Sequence, residues 1–412
     1  MSKRNDDFFK EKKIWSEVKD ELLGCYLKPY FNKIFYTRKP ILYVDCFAGK
    51  GKFEDGKNGS PLTALECLSS SISQFQGGHE LPDANMKFIE LNHANDLRSN
   101  LPQEHAHCCE VVSGKFEDTI KPILENAAHE SKHQNVFLYI DPYGVKALDA
   151  KLFDALPDIF STAELLINLN SWGFLRMAFA VKRTVFREPT DELFIDLEEY
   201  DSSIANSIDE INAIAGGDYW QNIVDRYIAD EIDGYEAEKE FSHKYKLRLR
   251  QKYKYVLEMP IRIKSGQHPK YRMVYATNHP DGCILMADNI AARTDRLIIE
   301  VQNKGQMSLY DMSADNEIIS PEFLMDKSAQ LLTRYNSSIR LRDFLADFYN
   351  EYGVLCSSSK LRGAKSALAT LEQENQIKVI RTPSTTPTGK ESRFWEEKSG
   401  QTVEIELITN PS

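Results

Sequence analysis

Five short apolar runs, each followed by an acidic or glycine-containing turn, restrict the fold of this 412-residue chain more than any other feature. The runs are Ile41–Val44, Met86–Ile89, Cys109–Val112, Val136–Ile140 and Glu164–Leu169. The segments between them are long enough for one helix each, for example Pro61–Ser71 and Ala94–Leu101. Short buried strands that alternate with helices predict an α/β fold with a doubly wound, mostly parallel sheet.

Changes in sequence pattern divide the chain into four predicted parts. They are an N-terminal helical segment (1–40), a sheet domain (41–305) with a helical acidic insertion at about 178–240, a polar linker (306–336) and a C-terminal domain (337–412). Tyr255–Ile263 and Tyr271–Thr277, joined by a glycine-containing loop, predict a hairpin that supplies the last two strands of the sheet.

The C-terminal domain has its own order of elements. Apolar residues at helical spacing in 339–348 predict one helix, and Ser357–Asn375 predicts a second. Ile377–Ile380 predicts a strand, and Ser392–Trp395 is predicted to return beside it after a loop rich in threonine, proline and glycine. The order helix, helix, strand, loop, strand is that of a winged helix.

The net charge of −11 conceals a strongly uneven distribution. Phe186 to Glu240 contains 3 basic and 17 acidic residues, whereas Phe241 to Arg272 contains 10 basic residues and one acid. A local basic segment decides the choice of partner more than the total charge does. An acidic total therefore does not exclude nucleic acid as a partner.

Three absences guide the expected location of the protein. The sequence has no run of about 18 apolar residues that would span a membrane. Residues 1–7 lack the apolar stretch of a secretory signal, and the seven cysteines show no C-x-x-C spacing. We expect a cytoplasmic protein with reduced thiols and no membrane association.

Candidate site residues follow the predicted strands at their carboxyl ends, where open α/β sheets bind ligands. Residues 45–51, DCFAGKG, come after the first strand, and their glycines permit a tight turn close to a ligand. Glu90 ends the second strand and could accept the hydroxyls of a ribose. Gly114 ends the third strand and is followed by Phe116, Glu117 and Asp118, of which the apolar side chain and an acid could flank an adenine.

The fourth strand ends in Asp141-Pro142-Tyr143-Gly144. The aspartate could accept a hydrogen bond from a substrate amine, the proline carbonyl a second one, and the aromatic ring could stack on a flat base. The structural alternative is an ordinary Pro-Tyr-Gly turn that closes a strand. The order of all four sites is more specific than any one of them.

This order of motifs resembles that of the class I S-adenosylmethionine-dependent methyltransferases, and more narrowly the three-Cys-motif partner family (TcmP). The segments on which this resemblance rests are YVDCFAGKGKFEDGKNGSP (43–61), FLYIDPYGV (137–145), ELLINLNSWGFLR (164–176), MPI (259–261) and ATNHP (276–280). The resemblance covers roughly residues 10–300. It implies a Rossmann-like methyltransferase fold and a cysteine-rich, three-Cys-motif protein as partner.

The resemblance also implies roles for individual residues. Asp45, Gly49 and Gly51, together with Phe47, would hold the methionine part of S-adenosylmethionine. Glu90 would bind its ribose, and Phe116 or Glu117 its adenine. Asp141, Pro142 and Tyr143 would receive the methyl acceptor.

The acceptor motif departs from one family pattern and approaches another. Methyltransferases that act on exocyclic amines usually carry Asp/Asn-Pro-Pro-aromatic, whereas here the aromatic residue comes one position earlier and glycine follows. A similar Asp-Pro-Phe-Gly motif occurs in tRNA methyltransferases that dimethylate a guanine amine. Adenine and guanine amines both remain open. Amine methylation needs no metal, and the closest histidine pair, His105 and His107, predicts no metal site.

Alternating cations and tyrosines suggest a surface for nucleic acid. The cations are Lys244, Lys246, Arg248, Arg250, Lys252 and Lys254, and on a strand they would all share one face. On a helix they would spread wider, and they could equally neutralise the acidic block before them. In the winged helix, Lys360, Arg362 and Lys365 lie on the predicted recognition helix.

Two functions therefore remain. The first is a methyltransferase that uses S-adenosylmethionine to modify an exocyclic amine of a base in DNA or RNA. The alternative is a non-catalytic, methyltransferase-like subunit that binds nucleic acid and supports a three-Cys-motif protein. A nucleotide-binding dehydrogenase is disfavoured, because the G-x-G-x-x-G pattern is absent: Gly51 is followed by Lys52-Phe53-Glu54.

Overall fold

A computed structural model describes residues 9–142, 148, 150–185, 187, 207–261, 268–303, 319–354, 363–398 and 400–408, with only the backbone at 14 and 295–303. The chain divides into two compact units, Met1–Asn278 and His279–Ser412. This division falls after Asn278, whereas the sequence prediction extended the sheet domain to residue 305. No helix among the described residues combines the length and apolar character needed to cross a membrane.

A seven-stranded sheet forms the centre of the first unit. Its strands are β1 (Ile41–Asp45), β2 (Ala84–Glu90), β3 (Cys109–Ser113), β4 (Asn135–Ile140), β5 (Thr162–Leu169), β6 (Tyr255–Ile261) and β7 (Tyr271–Thr277). They lie in the order β3-β2-β1-β4-β5-β7-β6, and β7 runs antiparallel to both of its neighbours. The predicted α/β fold with a mostly parallel sheet is confirmed. Every residue of β1 and β4 is buried, as expected for strands covered on both faces.

Nine helices surround this sheet within the described residues. They are α1 (Ile14–Ile34), α2 (Ser60–Gln74), α3 (Ala94–Asn100), α4 (Phe116–Glu130), α5 (Ala150–Ile159), α6 (Ser171–Val181), α7 (Ile208–Ala215), α8 (Tyr219–Ile228) and α9 (Gly234–Leu249). The last three belong to the predicted acidic insertion and its continuation. Much of that insertion, residues 188–206, lies outside the described residues.

Aromatic packing fixes α1 against one face of the sheet. The ring of Tyr26 lies 5.7 Å from that of Phe137 on β4 and 5.2 Å from that of Tyr275 on β7. All three side chains are buried. Burial of a large apolar side chain contributes about 1.5–3 kcal/mol, so these contacts hold α1 firmly in place. The N-terminal end of α1 thereby lies near the carboxyl ends of β1 and β4, where Lys19 contacts Asp141.

The other face of the sheet carries a cluster of apolar side chains from α4 to α9. Phe174 of α6 stacks on Phe241 of α9 with ring centres 4.0 Å apart, and Trp220 of α8 is fully buried beside them. Helix α9 begins with a capping box in which the Asp233 and Glu236 side chains bond each other's backbone N–H groups. These features fix the helices of the insertion against the core.

The second unit has four helices and a small sheet among its described residues. They are α10 (Pro280–Asn303), α11 (Pro321–Leu332), α12 (Leu341–Tyr352), α13 (Ala364–Gln373), β8 (Ile339–Arg340), β9 (Ile377–Thr382) and β10 (Thr402–Leu407). The antiparallel sheet has the order β8-β10-β9. The winged-helix assignment stays a prediction.

The returning strand was predicted at the wrong place. It is β10, whereas Ser392–Trp395 is irregular. The pattern of β10 explains this, because Val403 and Ile405 are buried and alternate with more exposed residues, as on a half-buried strand. Phe394 instead accepts a hydrogen bond from Arg381 through its backbone oxygen.

Candidate active site at the carboxyl ends of the central strands

The turn after β1 has a backbone that requires glycine. Gly49 and Gly51 have φ angles of 62° and 76°, in the left-handed region. A Cβ on Gly51 would lie 2.7 Å from Leu97 Cδ1, so a larger residue would force the Leu97 side chain to shift. The predicted glycine turn therefore forms, directly beside the end of β2.

Glu90 at the end of β2 joins this turn to the next one. Its Oε2 accepts a hydrogen bond of 2.8 Å from the Gly49 backbone N–H. Its Oε1 accepts bonds of 2.8 and 3.0 Å from the N–H groups of Asn92 and His93. A single buried carboxylate thus fixes two loops at the strand ends.

Asp45, the last residue of β1, is completely buried. The pKa of its carboxyl is raised to about 7, mainly by burial and also by the charges of Asp20 and Asp141, against the lowering effect of hydrogen bonds from Ser60 and the Phe47 backbone. Its Oδ2 has no hydrogen-bond partner within the described part of the chain. This arrangement is unfavourable without a ligand, because a buried unpaired polar atom costs about 1–3 kcal/mol.

The two residues predicted to flank the adenine lie in different surroundings. Phe116, the first residue of α4, is buried, and its ring lies 5.2 Å from that of Phe47. Glu117, the next residue, is exposed. Phe47 and Phe116 therefore form an aromatic pair beside the glycine turn, whereas Glu117 lies outside that pair.

Asp141, directly after β4, has three side-chain partners. Lys19 of α1 donates to both carboxylate oxygens, with Nζ 2.8 Å from Oδ1 and 2.6 Å from Oδ2. Asn168 near the end of β5 donates from Nδ2 to Oδ1 at 2.7 Å, and the Tyr139 hydroxyl donates to Oδ2 at 3.3 Å. Pro142 is buried, and the predicted Tyr143 lies outside the described residues.

Sequence reasoning missed Lys19 and Asn168. Lys19 belongs to a helix that precedes the sheet by sequence, and only the packing of α1 brings it to Asp141. A usable signal existed for Asn168: it is a polar residue close to the carboxyl end of a buried strand, in the same position as the other candidates.

An N-terminal segment, residues 9–12, lies over the loop between β1 and α2. The Phe9 backbone oxygen accepts a hydrogen bond of 2.8 Å from the Glu54 N–H, and its ring lies 5.1 Å from that of His93. Lys12 forms an ion pair with Asp20 and donates to the Asn58 carbonyl at 2.5 Å. Burial raises the pKa of Asp20 to about 6, although Lys12 and Lys19 lower it.

Aromatic rings and ammonium groups meet beside Lys19, the partner of Asp141. The Lys270 Nζ lies 4.3 Å from the ring centre of Trp15 and 5.6 Å from that of Tyr271. The Lys19 Nζ also lies 5.6 Å from the Tyr271 ring. These are the distances of cation–π contacts. The region beside Asp141 therefore combines positive charge with flat apolar surface.

The alternating cations lie at the end of helix α9 and in the turn that follows it, which is the helical one of the two alternatives left open by the sequence. Lys246 pairs with Glu258 at 2.6 Å, Lys252 pairs with Asp158 at 2.8 Å, and the buried Arg248 lies 2.5 Å from Asp154. Helical geometry spreads the side chains over several faces, so the single cationic face of the strand interpretation does not form. The other three of the six alternating cations lie in different places. Lys244 is exposed on α9, Arg250 directly follows the helix, and the Lys254 ammonium lies over the Tyr255 ring.

The winged-helix cations are only partly described. Lys365 lies half-buried near the start of α13, and Lys360 and Arg362 lie outside the described residues. Among the described residues, no three histidine, cysteine, aspartate or glutamate side chains come together as metal ligands. His105 instead bonds the Ser69 hydroxyl at 2.9 Å.

Comparison with known proteins finds similarity among solved structures. No protein-family model matches the chain, and no curated protein matches it. Among solved structures, the chain is similar to a loganic acid methyltransferase with SAH, with 8% sequence identity and a TM-score of 0.26. The match covers 70% of this chain and 84% of that one. The resemblance to the three-Cys-motif partner family therefore rests on the sequence motifs alone.

Proposed function

We propose that this chain is an S-adenosylmethionine-dependent methyltransferase that modifies an exocyclic amine of a nucleic-acid base. One observation carries the proposal: Asp45, Glu90 and Asp141 end or directly follow the adjacent strands β1, β2 and β4, in a sheet of order β3-β2-β1-β4-β5-β7-β6. This sheet, with an antiparallel β7 between β5 and β6, is consistent with a methyltransferase-like fold, and open α/β sheets bind ligands at the carboxyl ends of their strands.

The residues on the cofactor side fit S-adenosylmethionine. A buried Asp45 with an unpartnered Oδ2 suits a positively charged group, and the left-handed Gly49 and Gly51 keep the turn open to close approach. Glu90 uses three of the roughly four acceptor positions of a carboxylate, which leaves one for a ribose hydroxyl. When bound, the cofactor supplies an electrophilic methyl group on a sulfonium.

On the acceptor side, Asp141 is the residue of this chain that would act directly on the methyl acceptor. Its carboxylate accepts a hydrogen bond from the acceptor amine, orients the nitrogen lone pair and takes up the proton that the amine loses. Such positioning in a water-poor site supplies a large share of the rate in group transfer. The half-buried Trp15, beside Lys270, offers a flat surface for a base.

Nucleic acid as the substrate is supported by the basic segment 241–272 and by the exposed Lys244. The ion pairs of Lys246, Arg248 and Lys252 reduce the charge that this segment offers to phosphates. We therefore propose that base stacking and the second unit contribute to binding alongside these cations. DNA and RNA are both retained as substrates.

The test begins with calorimetric titration of the protein with S-adenosylmethionine and S-adenosylhomocysteine. We expect micromolar binding by the wild type and by Asp141→Asn, and transfer of labelled methyl to DNA or RNA by the wild type only. Glu125→Gln, at an exposed position of α4, serves as the matched control and should behave as the wild type. No binding at millimolar cofactor would contradict the proposal.

A second candidate is favoured by the contacts of Asp141. Its carboxylate is already paired with Lys19, as expected of a structural residue in a subunit that keeps the fold and binds nucleic acid for a three-Cys-motif partner. Cofactor binding without methyl transfer to any nucleic acid, in both wild type and Asp141→Asn, would favour this function.

A further inference from the structure

The acceptor capacity of Asp141 is filled by its own protein. Lys19 Nζ donates to both oxygens, Asn168 Nδ2 donates to Oδ1 and the Tyr139 hydroxyl donates to Oδ2. A carboxylate offers about four acceptor positions, and these four contacts use them. An acceptor amine can therefore bond Asp141 only by replacing one of the present donors.

Lys19 is the donor that an amine would replace. Its ammonium is the only one of the three donor groups that contacts both oxygens, and it is carried on a flexible side chain, whereas Asn168 and Tyr139 are fixed on strands. Lys19 also has two other favourable neighbours. The Tyr271 ring lies 5.6 Å from Nζ, and the charge of Lys19 acts on the adjacent carboxyl of Asp20.

Asn168 supplies a second, independent observation. Its side chain is 3% exposed, and its Oδ1 has no hydrogen-bond partner among the described residues. The orientation of the amide is determined by chemistry, because Nδ2 must be the atom that faces the Asp141 oxygen 2.7 Å away. A buried carbonyl oxygen is thus left without a donor directly beside the carboxylate, which is costly unless a ligand supplies one.

We infer that the acceptor is a primary amine that takes the place of the Lys19 ammonium, donating one N–H to Asp141 and the other to Asn168 Oδ1. Lys19 then moves toward the Tyr271 ring and Asp20. This inference rests on the proposed function and deepens it by naming two further residues that control how the amine binds, Lys19 as its competitor and Asn168 as its second acceptor. Two donors are needed to satisfy both oxygens, so a hydroxyl or an already methylated amine satisfies only one.

Lys19 and Asn168 have opposite expected effects on binding of the acceptor. Removing Lys19 removes the competitor for Asp141, so the acceptor should bind more tightly. Removing the Asn168 oxygen removes a bond to the acceptor, so binding should weaken. A merely structural role for either residue would weaken binding in both cases.

The experiment measures nucleoside binding by calorimetry, with the full chain saturated by S-adenosylhomocysteine to occupy the adenosine part of the cofactor site. The probes are guanosine and inosine, which differ by one exocyclic amine, and adenosine and purine riboside, which differ in the same way. We expect Lys19→Met to bind guanosine or adenosine at least five times more tightly than the wild type. Lys28→Met, an exposed lysine on the same helix, is the control and should match the wild type.

Compared with Lys19→Met, the double variant Lys19→Met/Asn168→Leu should bind the amine-bearing nucleoside at least ten times more weakly. Its affinity for the amine-free counterpart should change little. Equal or weaker nucleoside binding by Lys19→Met, or no binding by either form, would overturn the inference. Lys19→Arg keeps the ion pair and should bind as the wild type does, which separates loss of the ammonium from loss of folding. Failure of the wild type to bind S-adenosylhomocysteine would instead count against the proposed function.

Steady-state rates provide the second readout. Once an oligonucleotide substrate is found, Lys19→Met should lower KM for it while kcat changes less than threefold. A residue that only supports the fold would lower kcat and raise KM together.

Discussion

Glu90 illustrates how a single side chain serves both structure and site. Its two oxygens accept three backbone N–H groups from two different loops, and all of these bonds are 2.8–3.0 Å long. Hydrogen bonds to a charged group contribute about 1.5–3 kcal/mol, more than bonds between neutral groups. The residue that would bind the ribose is therefore also the residue that shapes the turn around it.

We expect Glu90→Gln to weaken S-adenosylhomocysteine binding at least tenfold and to lower the free energy of unfolding by about 1–3 kcal/mol. The amide nitrogen of glutamine is a donor, so it would face a backbone N–H where the carboxylate now accepts. Calorimetry and urea unfolding measure the two effects. The control is Glu110→Gln on β3, an exposed carboxylate paired with Lys87, which should change neither. Unchanged cofactor binding would remove Glu90 from the site.

Most of the candidate site residues that the sequence predicts lie at the ends of strands. Asp45, Glu90 and Asp141 could be predicted because each follows an apolar run, and position along a parallel strand decides on which edge of the sheet a residue lies. Lys19 could not be predicted in this way, since its place depends on how Tyr26 packs between β4 and β7. Local pattern determines the elements, but contacts distant in sequence determine which side chains meet.

At the scale of elements, a buried ion pair connects the hairpin β6–β7 with helix α9. Arg272 donates from Nε and Nη2 to the two oxygens of Glu238 at 2.8 and 2.9 Å, and Ser171 and Ser242 donate to the same carboxylate. The Glu238 side chain is 2% exposed. This network fixes the start of α6 and the antiparallel edge of the sheet on the acceptor side.

Arg272→Met should lower the free energy of unfolding by about 3–5 kcal/mol, because it leaves the Glu238 charge buried and unpaired. The double variant Glu238→Gln/Arg272→Met should regain part of this loss, since the Glu238 charge is removed together with its partner, and Glu258, the second acid near Arg272, keeps its pair with Lys246. Lys252→Met removes an exposed cation paired with Asp158 and should leave the urea midpoint unchanged. A double variant as unstable as the single one would contradict this account.

The alternating cations lie in a segment for which the sequence left strand and helix both open. Lys244 to Lys254 alternate with apolar and aromatic residues, which fits a strand by period, but the segment 244–249 completes helix α9. The buried residues Tyr245, Arg248 and Leu249 lie at helical spacing, three and four apart, and this pattern was obscured by the regular charges. Tertiary packing of α9 against the core decided between two periods that the short segment supports equally.

Helix α1 is joined to the sheet by a buried carboxyl as well as by aromatic rings. Glu164 Oε2 accepts hydrogen bonds from Tyr26 at 2.5 Å and Tyr275 at 2.8 Å. Burial raises the pKa of Glu164 from 4.5 to about 7, although the two hydroxyls lower it. Between pH 4.5 and 7 the folded state therefore binds one more proton than the unfolded state at this position, and stability falls as the pH rises.

Glu164→Gln should flatten the dependence of the unfolding free energy on pH over this range. The lost contribution is at most about 1.4 kcal/mol per pH unit, or about 3 kcal/mol in total. Asp20 and Asp45 have raised pKa values too, so the difference between wild type and variant isolates Glu164. Urea unfolding from pH 4.5 to 8 measures it, with the exposed Glu125→Gln as control. Parallel curves for wild type and Glu164→Gln would contradict the assignment.

At the scale of the whole molecule, the proposed chemistry belongs to one of two units. The strand-end site lies within Met1–Asn278, and His279–Ser412 has a separate core that includes Phe344, Phe348 and Ile405. A unit with its own core is expected to unfold cooperatively by itself. Binding of a ligand stabilises only the part that holds it.

We therefore expect two thermal transitions, of which S-adenosylhomocysteine raises only one. At a free concentration about 100 times its Kd, the ligand should add about 2.7 kcal/mol to the stability of the first unit. Tryptophan positions allow the assignment, because Trp15, Trp172 and Trp220 lie in the first unit and Trp395 lies in the second, against Arg381. Scanning calorimetry detects both transitions, and thermal unfolding followed by tryptophan fluorescence assigns them. In Trp395→Phe the fluorescence change of the second unit is lost, which identifies its transition. A single transition that shifts as a whole would mean that the units fold together, and that the second unit takes part in the stability of the site.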